Sequence, residues 1–248
     1  MLKRRFPLTH RFVAARFSAN GALGLHLTIG VLLMVLSVWA FGEIAERIGP
    51  GSRLSMLDAA LSQYFHGYAG SVWTGPLLMV THAHSPFAVL FATAFLGWHL
   101  HRRGKRYWLF SMLTTVTGGI ILNVLLKYIY QRARPSFNDP VLSSLTEYSF
   151  PSGHTMGATL FYGFIAAYLV CHLRSRAGRS LAVLGATVMV LLVAFSRVFL
   201  GAHYPSDVSA AMAEGVAWLS VCITAGATLR RRREAAGLDR TTGSSPDQ

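Results

Sequence analysis

The sequence predicts an all-α integral membrane protein: a six-helix bundle with one short interfacial amphipathic helix between helices one and two. Three observations carry this. Hydrophobic residues make up 52% of the 248-residue chain and charged residues only 13%, where a soluble domain carries about a quarter charged residues. The apolar residues gather into six runs, which at about 1.5 Å per residue are long enough for a hydrocarbon core of about 30 Å. The basic residues behind the net charge of +13 stand in short clusters between those runs. A nucleic-acid binder spreads its Lys and Arg over a polar surface instead, so the expected partner is the bilayer and not nucleic acid.

The first run, Ala22–Phe41, is 20 residues long, beyond the roughly 7–15 residues of a cleaved secretory core. It reads as a retained span, preceded by a basic cytoplasmic N-terminus over residues 1–21. Next, Leu54, Leu57, Leu61 and Phe65 recur at helical spacing, which predicts the amphipathic surface helix. The second span, Leu77–Leu100, is interrupted by Pro86, with Gly75, Pro76, His82 and His84 near its start. A proline removes a backbone donor, so a kink or a broken entry is expected there.

The remaining spans are Tyr107–Leu126, Thr155–Leu173, Ser180–Phe195 and Ser206–Leu229. Gly118 and Gly119 in the third predict a close helix contact. The spans form one domain over residues 22–229. A basic tail from Arg230 to Gln248 turns Gly/Ser-rich and is expected to be disordered. Cys171 and Cys222 both lie in apolar runs, so neither a disulfide framework nor a cysteine metal site is expected.

Charge sets the orientation. One set of connections holds 17 of the 23 basic residues, and the other holds Arg47, Arg53, Lys127, Arg132, Arg134 and Arg197. The Lys/Arg excess marks the cytoplasmic side, so both termini are expected there and the second set faces outward, as in a protein of a bacterial inner membrane.

The unusual polar residues of the outward set fall into three clusters: Lys127 through Arg134 and Pro135, then Pro151-Ser152-Gly153-His154, then Ser196-Arg197 through His203 to Asp207. Each sits at a span end on one side of the membrane, so they are able to meet. Lys127, Arg134 and Arg197 together would repel one another unless an anion lay between them. Arg offers a planar fork for phosphate oxygens and Lys a point charge. Ser152 and Gly153 open a helix, whose free N–H groups and dipole favour an anion. His203 precedes Asp207 by four residues. A helix beginning at Pro205 places Asp207 about one turn from it, able to accept Nδ1–H and leave Nε2 as a nucleophile. His154 stands opposite as the acid for the leaving oxygen. With cations already neutralising charge, no metal or other cofactor is expected.

These clusters resemble the three signature motifs of the type 2 phosphatidic acid phosphatase superfamily. Lys127, Arg134 and Pro135 match the first, Pro151 to His154 the second, and Ser196, Arg197, His203 and Asp207 the third, with no departure in order or spacing. The resemblance implies a phosphohistidine on His203, His154 as general acid and then base, and phosphate contacts from Lys127, Arg134, Ser152, Gly153 and Arg197. It also implies lipid phosphate or diphosphate substrates hydrolysed on the extracytoplasmic side without a metal, the alternative being transfer of the phosphoryl group to a second lipid. Arg132, inside the first cluster but outside the motif, has two readings, a second phosphate contact or a water-facing charge. His82, His84 and the intramembrane Glu214 are left without a role, and the lipid and the oligomeric state are left open.

Overall fold

The computed structural model describes residues 25–142 and 148–242. The basic segment 1–21, the first three residues of the first expected span, Glu147 and residues 243–248 of the tail lie outside that range. Among the described residues there are eight helices: α1 (Leu25–Arg47), α2 (Arg53–His66), α3 (Thr74–Ala83), α4 (Pro86–Arg102), α5 (Arg106–Tyr130), α6 (Gly153–His172), α7 (Arg176–Phe199) and α8 (Pro205–Thr242).

Five of them, α1, α5, α6, α7 and α8, are long and apolar enough to cross a membrane, and α3 with α4, bent by 51° at their break, make a sixth if the pair is counted as one broken span. The break falls where Pro86 predicted it. His84 and Ser85 separate the two helices, Pro86 takes the first position of α4, and Ser85 caps it by accepting from Ala88 N at 3.3 Å. The outward face of α1 carries Ile29, Leu32, Leu36, Val38 and Trp39, all exposed. An apolar surface of that extent on a helix with all its backbone bonds internal belongs in lipid, and the chain is an integral membrane protein.

α6 is the hub, packing against α4, α5, α7 and α8, while α1 lies along α8. Its buried Phe164 meets Trp108, Met112 and Val116 of α5 with Leu100 of α4, and its Met156 and Leu160 meet Ala211 of α8. The close contact expected at Gly118 and Gly119 is present. A Cβ on Gly119 would stand 2.2 Å from Leu160 Cδ1, and one on Gly118 2.4 Å from the Trp218 ring. Trp218 Nε1 then reaches Thr115 O at 3.0 Å across the same seam.

Two expectations differ in detail. The surface helix exists as α2, capped by Ser52 accepting from Ser55 N at 3.1 Å. Its most buried positions, however, are Asp58 and Ser62, one turn apart, while Leu57 is 54% exposed. α2 packs against the ends of α7 and α8, where Arg132 and Ser206 bond Asp58 and Phe65 meets Phe199 and Val208. The tail expected to be disordered from Arg230 instead continues α8 to Thr242, since its Arg, Ala, Glu and Leu are all strong helix formers.

Candidate active site

Four helix ends meet at one end of the bundle. Lys127 lies in the last turn of α5, which Gln131 stops in the left-handed conformation at φ 44°. The chain then runs extended and is tied back by Ser149. The Ser149 backbone N donates to Arg132 O at 2.8 Å, and its hydroxyl donates to Ala133 O at 3.0 Å. A cis peptide joins Phe150 to Pro151, and α6 begins at Gly153. Ser152 N donates to the backbone oxygen of Asp207 at 3.2 Å, stitching the start of α6 to the start of α8.

Between α7 and α8 the chain turns sharply. Gly201 has φ +70°, and a Cβ there would lie 2.7 Å from the Phe137 ring, so the turn needs glycine for both its conformation and its neighbour. Ala202 N and His203 N both donate to Arg197 O, at 3.0 and 3.2 Å. α8 starts at Pro205 as expected, and Asp207 accepts the Tyr204 backbone N–H on Oδ2 at 2.9 Å.

The eight residues expected at the site come together here. His203, 1% exposed, presents Nε2 to Arg134 Nη1 at 3.1 Å and Nδ1 to Asp207 Oδ2 at 3.5 Å. A guanidinium only donates, so Nε2 is the accepting nitrogen and the ring proton sits on Nδ1, toward Asp207. Arg134 Nη1 also donates to Ala202 O at 2.8 Å, Lys127 Nζ to Tyr148 O at 2.6 Å, and Arg197 Nη1 to Thr81 Oγ1 at 2.9 Å. The hydroxyl that Arg197 meets carries no charge to set against its own. Arg197 is 3% exposed, and its Nε has no partner.

Ser152 makes no side-chain cap hydrogen bond to α6 and accepts instead from Thr155 Oγ1 at 3.2 Å. The first-turn N–H groups of a 20-residue helix are thus left uncapped by it. A Cβ on Gly153 would lie 3.4 Å from Asn123 Oδ1 and 3.9 Å from Lys127 Cε, which places the opening of α6 beside the lysine. His154, in that first turn and half-buried, lies within reach of the charges of Arg197, Arg134 and Lys127 and close to the His203 ring. Burial first, then the charges of Arg197, Arg134 and Lys127, hold the His203 imidazole well below its ordinary pKa against an opposing hydrogen bond to the Ser149 backbone. The ring is neutral at physiological pH.

The residues the sequence left without a role are also located. Arg132 bonds Asp207 Oδ1 at 2.6 Å, Ser206 Oγ at 2.7 Å and Asp58 Oδ2 at 2.8 Å, so neither sequence reading, a second phosphate or water, describes it. Asp58 and Ser206 were missed altogether. The only signal for Asp58 was a carboxylate one turn from Ser62 in an otherwise apolar stretch. Glu214 accepts from Asn123 Nδ2 at 3.0 Å, one turn into the bundle from Lys127. His84 lies between Val80 O and the Tyr162 hydroxyl, each at 2.7 Å, and His82 turns to its own helix at Leu78 O.

The family model of the PAP2 superfamily matches residues 108–231, half of the chain. Phosphatidylglycerophosphatase B of Bacillus subtilis is 42% identical over 89 residues, which cover 36% of this chain and 43% of that protein. Lipid A 1-phosphatase of Rhizobium etli is 37% identical over 118 residues, 44% of this chain and 45% of that protein. The chain thus spans less than half the length of these curated relatives. A crystal structure of a transmembrane PAP2-type phosphatidylglycerolphosphate phosphatase from Bacillus subtilis superimposes with a TM-score of 0.71 at 27% identity, covering 77% of this chain and 94% of that one.

Proposed function

The chain belongs to the PAP2 superfamily, and from that premise we propose that it is a membrane phosphatase for lipid phosphate or diphosphate esters, working through a phosphohistidine on the extracytoplasmic side. The observation that carries the reading is the His203 ring. Its accepting Nε2 meets Arg134 and its Nδ1 faces the buried Asp207, with the charges of Arg197 and Lys127 close enough to act on the ring.

The chemistry follows from that placement. A phosphate group settles among Lys127, Arg134, Arg197 and the opening N–H groups of α6 at Ser152 and Gly153. Arg134 exchanges Nε2 for a phosphate oxygen, and Nε2 forms a bond to phosphorus as the bond from phosphorus to the lipid-side oxygen breaks. His154 gives that oxygen its proton, and Asp207 supports the positive charge growing on the ring through Nδ1. His154 then takes a proton from water, whose oxygen attacks phosphorus and releases inorganic phosphate, restoring Nε2. The cations and the helix start stabilise the equatorial oxygens in both steps.

The outward orientation rests on charge: 17 of 23 basic residues belong to the connections at the opposite end from Lys127, Arg134 and Arg197. The names of the relatives support lipid phosphates as the substrate class. Purified protein is expected to release phosphate from a lipid phosphate panel with chelator present, to carry acid-labile label on a histidine, and to lose both in His203→Ala. Unchanged turnover in His203→Ala removes the nucleophile, and label appearing on a second lipid makes the protein a transferase.

A further inference from the structure

We infer that Arg132, gripped by Asp58 of α2, is a positioning residue of this site: it fixes the Asp207 carboxylate, and through it the His203 ring, and does not hold substrate phosphate. The inference rests on the proposed phosphatase reading and adds two residues to it.

Arg132 is engaged through both terminal nitrogens and by an aromatic ring. Nη1 donates to Asp207 Oδ1 at 2.6 Å and to Ser206 Oγ at 2.7 Å, and Nη2 donates to Asp58 Oδ2 at 2.8 Å. Its guanidinium plane lies 4.3 Å from the Tyr204 ring centroid. The two carboxylates it joins are 0% and 1% exposed. One guanidinium between two buried carboxylates leaves the cluster net negative, so an approaching phosphate dianion is repelled there and drawn to Lys127, Arg134 and Arg197 instead.

Asp58 is held as firmly. Its Oδ1 accepts Ser206 N at 3.0 Å and its Oδ2 accepts the Ser206 hydroxyl. These bonds pin the first turn of α8, which carries Asp207. The result is a chain of contacts from α2 to the nucleophile: Asp58, Arg132, Asp207, His203. The last link, at 3.5 Å, is the one most sensitive to carboxylate rotation. With Oδ1 tied to Arg132 and Oδ2 to Tyr204 N, the carboxylate cannot turn away from the ring.

Among the described residues, the charged and titratable groups facing His203 are Asp207 of α8, Arg134 of the connection after α5, Arg197 of α7, Lys127 of α5 and His154 of α6. Arg132 acts on the ring only through Asp207. Removing its charge leaves the Asp207 carboxylate uncompensated beside the imidazole and favours the imidazolium.

The test compares Arg132→Met, Arg132→Lys, Asp58→Asn and the Asp58→Asn/Arg132→Met double variant with the wild type. Three readouts are taken: kcat and KM on a short-chain lipid phosphate, thermal unfolding, and the His203 ring titration by NMR on histidine-labelled protein, assigned by its loss in His203→Ala. Arg132→Met is expected to lose about 100-fold in kcat with KM changed by no more than about threefold. Asp58→Asn is expected to lose about tenfold in kcat, with the double variant no worse than Arg132→Met because both act through Asp207. Arg132→Lys regains part of the loss, and the His203 midpoint rises in Arg132→Met, which removes a positive charge, and falls in Asp58→Asn, which removes a negative one. A KM that rises while kcat holds makes Arg132 a substrate contact and overturns the inference, as does an unmoved His203 midpoint in a folded variant. If Arg132→Met does not fold, Asp58→Asn carries the same comparison. A wild type that hydrolyses no lipid phosphate ends the phosphatase reading, while the titration still decides the positioning claim.

Discussion

A histidine ringed by guanidinium groups holds a proton poorly, and His203 has Arg134 at 3.1 Å with Arg197 and Lys127 near by. Because burial and those charges push its pKa well below the ordinary value, the free protein keeps a neutral imidazole, as the proposed nucleophile requires, into mildly acid solution. The acid limb of kcat/KM is expected below pH ~6.5, the usual histidine value, and a limb at or above it in a pH–rate profile counts against His203 as nucleophile. The same depression works against the fold in acid: below about pH 6.5 the unfolded chain binds a proton that the folded chain refuses, so stability falls with pH there. Arg197 supplies a second residue-scale outcome. Vanadate adopts the five-coordinate shape of the phosphoryl transition state. Its inhibition is expected to weaken by about tenfold or more in Arg197→Ala, given a charge-assisted contact to a buried guanidinium; equal inhibition of both proteins removes Arg197 from the anion site. At this scale the sequence was highly legible. Lys127, Arg134, Ser152, Gly153, His154, Arg197, His203 and Asp207 stand in three short motifs whose spacing is set by local turns, and those turns are what bring them together. Asp58 and Ser206 were not legible, because their contact spans 148 residues and belongs to no local pattern.

Among the elements, the helices were readable from hydrophobic run length and punctuation. Pro86 marked the break between α3 and α4, and Pro205 marked the start of α8. What hydrophobicity could not show was the direction α2 faces. Its apolar residues recur at helical spacing and Phe65 packs against Phe199 and Leu200, yet the most buried positions are Asp58 and Ser62. Asp58 is buried because Arg132 and Ser206 bond its carboxylate. Nor does an apolar run end where its helix ends: α8 passes Leu229 and continues through charged residues of high helix propensity. Packing between elements gives a stability prediction. A Cβ on Gly119 meets Leu160 at 2.2 Å, whereas one on Gly185 meets nothing within 4 Å. Gly119→Ala is therefore expected to destabilise by about 1–3 kcal/mol through overpacking, and Gly185→Ala to leave the unfolding temperature unchanged or raised. Equal thermal shifts in detergent would remove the α5–α6 seam as the tight contact.

For the whole molecule, charge and composition made the membrane class readable before any contact was known. The orientation yields a direct outcome. In a chain with Cys171 and Cys222 replaced by alanine, a cysteine introduced at the exposed Asp139 is expected to react with a membrane-impermeant maleimide in intact cells. One introduced at Arg103 is expected to react only after permeabilisation. The reverse pattern would put the site in the cytoplasm.

Thr81 gives the broken span a meaning that its bend alone does not. Its hydroxyl oxygen accepts a hydrogen bond from Arg197 Nη1 at 2.9 Å and stands 3.3 Å from Ser196 Oγ, less than one turn before α3 ends at Ala83. The kink is therefore moored to Arg197, among the cations of the candidate site. The two halves of the span are not a free hinge in the lipid: any swing of α3 away from α7 strips a guanidinium of its tether, so membrane shape and oxyanion chemistry share a single oxygen atom.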